Sequence, residues 1–515
     1  MSTAGRWATS PLALVLIVLT VYAVVVVDST DNDPSLAPFT ALSLVRDGDT
    51  DLRDLPPEIL VERPLVIVGQ PAGVTFDSVE QVRAALDAAG PDAEVRDYFP
   101  VVPALLAVPT VVAVDLLGPP LGQGDAEQLL LEDRFGWLHT VTASVVVVLA
   151  LLIARSITLG LVSGTEGRRR WIATVTTLVL AFGTTAWSVA SRALWQHGPS
   201  LLLLLAALWL VLSLRGGGDT SARPGEHTGS ATVDPEAAGR GDATGAPGWT
   251  APALGVVLTA AVVTRPTNAV PALALLGWVA WSRRDRLGPV VLGVVVSAVV
   301  AAGLAAALGL GVPPPYYSAS RITVGAETVG AFAANLVSPS RGLVVSTPVV
   351  LLALPGAWLW WRRPADRPLV VALVLWVGGL VLAVSAFTQW WAGHTFAARF
   401  TTETLPALLL LAVPALDAVA PQRNGTAAVA AVGPDRAPSW MRSRAALVVV
   451  VVLAVWSVGF HAAGAWSRQT SCWNEGPVDV DDEPARVWSV TDAQVGRAAG
   501  ALVVHGPRRA VAGPC

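Results

Sequence analysis

The residues best equipped for chemistry stand where the first long apolar run ends. They are Asp28, Asp31 and Asp33, in the stretch Asp28-Ser29-Thr30-Asp31-Asn32-Asp33-Pro34. Three carboxylates at the mouth of a membrane-length segment are costly unless water, a cation or a substrate meets them. A carboxylate so placed can take a proton from an attacking hydroxyl; its competing role is to cap the helix that follows Pro34. Its counterparts are single arginines in later polar loops: Arg192, Arg265, Arg321, Arg341 and Arg399. Their planar forks match the oxygens of a phosphate. Together these groups suit transfer away from a phosphate leaving group, the arginines stabilising the charge that develops on it. For any one arginine the competing reading is an ion pair with a carboxylate or a lipid headgroup. Asp97, Tyr98, His197, Trp391, His394 and Glu403 share those loops. There a histidine either positions a substrate or packs at the interface, and a tryptophan either stacks on a ring or anchors at the membrane surface.

The composition says what kind of elements must carry these groups. Of 515 residues, 53% are hydrophobic and 14% charged. Runs of nearly twenty apolar residues recur, as bilayer-spanning helices require. The expected class is an all-α polytopic membrane protein. All 34 basic residues are arginine; with the Ala, Val, Gly and Pro bias this fits a GC-rich bacterial genome and a plasma-membrane location.

Basic clusters stay cytoplasmic and orient the spans. Residues 11–27 lead outward from Arg6, and 139–160 lead inward to Arg168-Arg169-Arg170. Residues 171–190 return outward and 200–214 lead inward to Arg215. Residues 249–264 reach Arg265, and 268–281 come back to Arg283-Arg284-Asp285-Arg286. One kinked helix competes with that last pair, but it would strand the arginine cluster outside. Residues 287–311 go out, 342–361 come in to Arg362-Arg363, 368–387 go out, 405–420 come in and 445–460 go out. About eleven spans result, with the N-terminus inside and the C-terminus outside. Residues 100–117 are apolar too, but counting them as a crossing would invert the arginine triplet. With Pro100, Pro103 and Pro109 they are expected at the interface.

The expected divisions are an anchor helix at 1–27, read as uncleaved for want of a small-x-small site, and an extracytoplasmic loop at 28–138. That loop carries juxtamembrane helices, including an amphipathic piece at 78–89. A core follows at 139–460, interrupted by a polar linker at 216–248 expected to be disordered, and an extracytoplasmic tail closes the chain at 461–515. Both cysteines, Cys472 and Cys515, fall in that tail, where a disulfide and two idle thiols are both open readings.

Asp31-Asn32-Asp33 and the short helix expected to follow, up to Arg46-Asp47-Gly48, resemble the first external loop of the GT-C glycosyltransferases. That superfamily includes the protein O-mannosyltransferases and the lipid A aminoarabinose transferase. Asp97-Tyr98-Phe99-Pro100, followed by Ala104-Leu105-Leu106, is similar to the segment that closes that loop. Leu194-Trp195-Gln196-His197-Gly198-Pro199, Thr264-Arg265-Pro266-Thr267, Ser338-Pro339-Ser340-Arg341-Gly342 and Trp390-Trp391-Ala392-Gly393 look like later segments of bacterial members. The matches run in order over most of residues 11–420.

The resemblance implies a GT-C-like helical fold with a long first loop. It implies inverting transfer of a sugar from a polyprenyl-phosphate donor to a cell-envelope glycan, lipid or protein. The base would be a first-loop aspartate, Asp33 before Asp31. The donor phosphate would lie against Arg265, Arg321, Arg341 and Arg399, with Asp97, Tyr98, His197, Trp391 and His394 toward the substrates. Here the closing motif has no lysine and Asp33 is followed by Pro34. The alternative is a transporter or flippase of lipid-linked sugars; it predicts ionisable groups at mid-membrane, whereas the spans hold few, the main one being Arg155, close enough to the cytoplasmic end to snorkel. A polymerase or ligase using lipid-diphosphate oligosaccharides is a third reading.

No phosphate-cradling glycine loop, nucleotide fold or nucleic-acid patch is present, which fits a lipid donor and no nucleic-acid partner. No zinc spacing occurs, no cofactor is expected, and a divalent metal stays open. Asp47-Gly48-Asp49-Thr50-Asp51 with Glu58 partly imitates a calcium loop. Leu52 stands where that loop needs glycine, so a solvated acidic loop is expected.

Overall fold

The computed structural model describes residues 9–24, 34–68, 73–132, 136–216, 246–310, 315–317, 321–421 and 437–512. Asp31, Asp33 and most of the expected polar linker lie outside the described residues. Among the described residues the regular structure is helical except for a two-stranded ribbon, β1 (Leu65–Ile67) against β2 (Val95–Asp97), with Val66 opposite Arg96. Among the described residues six helices are long and apolar enough to cross a membrane, which makes the fold all-α and polytopic.

The first helix, α1, is Pro11–Val24. A small unit follows: α2 (Ala37–Arg46), β1, α3 (Val79–Ala89), β2, α4 (Val102–Leu117) and α5 (Ala126–Leu131). It closes over its own apolar core, in which Phe39, Leu52, Leu60, Ile67, Val82 and Val95 are buried. The amphipathic α3 buries Val82 and starts at Ser78, whose Oγ accepts from the Gln81 N–H at 3.3 Å. Residues 102–117 form a helix despite Pro109.

The bundle comprises α6 (Gly136–Leu161), α7 (Glu166–Phe182), α8 (His197–Gly216), α9 (Thr250–Thr264), α10 (Ala269–Ser282), α11 (Arg284–Ala307), α12 (Ala326–Val337), α13 (Ala353–Trp361), α14 (Arg367–Ser385), α15 (Leu405–Val419) and α16 (Arg444–Trp466). Helix α11 exposes Leu292, Val295, Val299 and Leu304, an apolar face that water would penalise and lipid would not. Helices α9 and α11 cross at touching distance through Gly255 and Gly293. A Cβ on Gly255 would fall 2.1 Å from the Val290 carbonyl oxygen, and one on Gly293 would fall 2.2 Å from that of Pro252.

The ends of the bundle differ. At one end Arg168 binds Asp417 and the Ala420 carbonyl, Arg215 pairs with Asp366, and Arg283 donates to the Leu214 carbonyl. Arg265 lies at the other end. Residues 249–281 therefore form two antiparallel helices, the chain reversing where Arg265 is extended (φ −152°, ψ 111°). Residues 342–361 are a broken helix: Thr347 (φ −133°) and Pro348 interrupt it before α13. The final segment, α17 (Gln469–Glu475) and α18 (Gln494–Ala512), packs around the buried Trp473. Cys472 is buried and disulfide-bonded, and Cys515, the other cysteine of the chain, lies outside the described residues.

Candidate functional site

Three elements start or stop at the end of the bundle that carries Arg265. Helix α8 begins at His197, α9 ends just before Arg265, and a 3₁₀ turn over Arg399–Thr404 leads into α15. They meet at Glu403, whose side chain is fully buried. Glu403 Oε2 lies 2.6 Å from Arg265 Nη1, and Oε1 lies 2.8 Å from His197 Nδ1. Arg265 Nη1 is also 2.8 Å from that same ring nitrogen. One nitrogen cannot accept from the arginine and donate to the carboxylate together. A proton on Nδ1 satisfies the carboxylate and leaves Nε2 an acceptor; the tautomer is assigned from the network. Asn268 braces the junction, its amide donating to Ser200 Oγ and to the Ala261 carbonyl, both at 2.9 Å. The Trp376 indole donates to the Glu403 carbonyl at 3.0 Å. Burial pulls the Arg265 pKa down, but the facing Glu403 carboxylate outweighs it and the group stays charged.

Above this trio opens a narrow cleft, lined by Pro34, Asp97, Trp195, Gln196, His197, Arg265, Tyr316, Tyr317, Arg399 and Phe400 among others. Its arginines lie against rings. The Arg399 guanidinium sits 3.9 Å from the Trp195 ring centre, Arg265 5.3 Å from that of Phe400, and Arg321 4.8 and 5.7 Å from those of Tyr316 and Tyr98. Stacking holds the plane of a guanidinium while leaving its edge able to donate. Tyr98 is buried in the wall, edge-on to Tyr316. The Tyr317 hydroxyl donates to Gln196 Oε1, and desolvation holds that phenol protonated well above its ordinary range despite the pull of Arg265. Asp97 Oδ1 accepts from the Phe99 N–H at 3.0 Å.

Of the residues singled out in the sequence, Asp97, His197, Arg265 and Arg399 thus line one cleft, while Tyr98 and Arg321 pack against its lining residue Tyr316. Pro34, which follows Asp33 in the chain, lines it as well. Arg341, Trp391 and His394 go elsewhere. Arg341 is buried among the Trp391 carbonyl (3.0 Å), the Gly393 carbonyl (3.2 Å), Asn474 (2.9 Å) and Gln494, stacked on Trp473. The Trp391 indole donates to Asp481 at 2.6 Å, and His394 Nε2 lies 2.8 Å from Asp479. All three fasten the final segment to the bundle. Glu403 is what the sequence reading passed over: it stood among the polar loop residues with no role. Its one signal is an acid in a run of threonines leading straight into an apolar helix, which must find a cation when buried. Tyr316 and Phe400 gave no signal beyond being aromatic, and Trp195 stood only as part of the segment Leu194–Pro199.

Among the described residues, His394, Asp479 and Asp481 present ligand atoms within 4.8 Å of one another. Their oxygens already accept: Asp481 from Trp391 and Gln389, Asp479 from His394 and the Asp481 N–H. Burial would raise the Asp479 carboxyl, but that N–H and His394 hold it below the ordinary carboxylate range. The cluster is a satisfied hydrogen-bond net. In the acidic loop, Asp49 Oδ1 accepts from Ser43 and the Asp51 N–H, while Asp51 Oδ1 accepts from the Arg53 and Val95 N–H groups. The loop is a set of turns that tie β2 down.

Fold and site together define a polytopic helical membrane protein with a cationic, aromatic-walled cleft at one end of its bundle. No family model matches the sequence, and no curated protein matches it. Among solved structures, the chain is similar to the oligosaccharyltransferase of Archaeoglobus fulgidus, determined with a disulfide-tethered acceptor peptide containing the NVT sequon. The alignment has 11% identity and a TM-score of 0.43, and covers 94% of this chain and 60% of that one. The chain spans about three-fifths of that protein's length.

Proposed function

We propose that the protein is an integral membrane glycosyltransferase of the GT-C type. It would move a monosaccharide from a polyprenyl-phosphate donor to a hydroxyl of a cell-envelope acceptor at the extracytoplasmic face. The observation that carries this reading is one cleft drawing Arg265 and Arg399 from loops far apart in sequence and using Pro34 as lining, with Arg321 stacked on the lining residue Tyr316. Guanidinium edges near a membrane surface suit a lipid-borne phosphate. Aromatic faces suit the ring carried on it.

In the proposed reaction the acceptor oxygen attacks the anomeric carbon from the side opposite the phosphate. The new C–O bond forms as the bond from that carbon to the phosphate oxygen breaks, and the phosphate leaves with the electron pair. Asp33, with Asp31 as second choice, takes the hydroxyl proton. Arg265, Arg321 and Arg399 stabilise the departing charge, and Glu403 with His197 fixes the angle of Arg265. Arg341, Trp391 and His394 act only by holding the final segment. A general base contributes about 10²–10⁴-fold. Asp33→Asn should therefore lower transfer from radiolabelled polyprenyl-phosphate mannose or arabinose to envelope extract at least about a hundredfold, with expression and thermal unfolding unchanged. Full activity in that variant, with Asp31→Asn equally active, would remove the first-loop acids from the mechanism.

A further inference from the structure

The other end of the bundle holds a second cationic cavity that the transfer reaction does not use. Helix α6 starts beside the cleft, where Thr140 Oγ1 donates to the Arg192 carbonyl at 3.1 Å. Arg155 lies about four turns further along it, so its pocket is on the order of 20 Å away. That pocket is lined by Thr9, Ser10, Pro11, Arg155, Leu159, Glu166, Arg169 and Arg170. Its positive character has three sources.

The first is Arg155, which is only 7% exposed. Its Nη2 donates to the Thr9 carbonyl at 2.7 Å, and its Nε is buried with no hydrogen-bond partner. A guanidinium inside a membrane helix is expensive without a counter-anion. The second is the pair Arg169 and Arg170. Arg169 Nε donates to the Leu159 carbonyl at 3.1 Å and closes the end of α6, while Arg170 pairs with Glu166 across one turn. Three arginines against that single acid leave a surplus of two positive charges. The third is helix polarity. Both α1, whose first turn is capped by Ser10 Oγ accepting from the Ala13 N–H at 3.1 Å, and α7 present their N-terminal turns here.

We propose that this pocket binds a phosphate oxyanion, carried either by the headgroup of an anionic membrane lipid or by a soluble phosphate. Arg155 would be the buried contact, and Arg170 the rim contact that trades its bond to Glu166 for the ligand. The site sits where two apolar helices end, at the depth of a headgroup, and is independent of the transfer reaction.

The test uses the full chain purified in detergent. It is titrated with short-chain phosphatidylglycerol, with phosphatidylcholine of the same chain length, and with inorganic phosphate. Bound lipids are counted by native mass spectrometry, and thermal unfolding is followed in parallel. Phosphatidylglycerol should bind on the order of tenfold more tightly than phosphatidylcholine, and Arg155→Gln/Arg170→Gln should erase the difference. Protection by inorganic phosphate without any lipid preference assigns the site to a soluble anion. No preference and no phosphate protection in the native chain, or a preference that survives in the double variant, would overturn the proposal. If the double variant fails to fold, Arg170→Gln alone removes only a half-exposed group and should still weaken phosphatidylglycerol or phosphate binding several-fold; unchanged binding there overturns it equally.

Discussion

A carboxylate with no exposed surface, such as Glu403, is tolerated because two partners reach it, His197 from the start of α8 and Arg265 from the turn after α9. Removing one member of a buried pair costs about 3–5 kcal/mol, since the remaining charge keeps its desolvation penalty and loses its compensation. Glu403→Gln should therefore lower stability by about that amount. Glu403→Gln combined with Arg265→Gln should recover part of the loss, because the orphaned guanidinium goes too. Thermal unfolding of Glu403→Gln, Arg265→Gln and the double variant in one detergent decides it; an additive double variant would mean that the ion pair is incidental. This pairing could not be read from the sequence, because the two partners stand 206 and 138 positions away in the chain. Single arginines in polar loops were candidates for anion binding by type alone, and that reasoning could not separate Arg399, stacked on Trp195 in the cleft, from Arg341, enclosed by Asn474 and Gln494. What distinguishes them is which neighbours the fold supplies.

At the scale of elements, length and charge carried most of the information. The apolar stretches at 139–160, 287–311, 368–387 and 445–460 correspond to α6, α11, α14 and α16, because an uninterrupted apolar run in lipid has only one way to satisfy its backbone. The breaks were less legible. Residues 342–361 read as one helix, but Pro348 lacks the amide hydrogen a continuous ladder needs, and the chain turns at Thr347. Residues 171–190 end in a π-helical turn over Ala186–Ala190. Close approach of helices was hidden altogether, since a glycine in a membrane helix looks alike whether or not a neighbour presses on it. Gly255 and Gly293 are pressed, whereas Gly303, on the same helix as Gly293, faces open space. Gly255→Leu should force α9 and α11 apart and destabilise the protein by several kcal/mol, while Gly303→Leu should leave it within about 0.5 kcal/mol. Thermal unfolding of the two variants compares them directly, and equal effects would mean that the crossing is loose.

At the scale of the whole molecule, the two ends of the bundle hold different chemistry, and that difference predicts how the protein lies in its membrane. One end carries the cleft, the small unit of residues 34–132 and the final segment with its disulfide-bonded Cys472. The other carries Arg168, Arg169, Arg170, Arg215, Arg283, Arg284 and Arg286, in the first or last turn of α7, α8 and α11 or, for Arg283, between α10 and α11. Disulfides persist in oxidising compartments, and arginine-rich short connections stay cytoplasmic. Both rules, which rest on unrelated physics, point the same way: cleft outside, arginines inside. Alkaline phosphatase folds only where its own disulfides can form, so its activity in fusions reports which side a junction faces. A fusion within residues 217–245 should be inactive, and one after residue 512 active. The reverse pattern would set the cleft facing the cytoplasm, where a nucleotide-linked donor would have access and the case for a lipid-linked one would lose its reason.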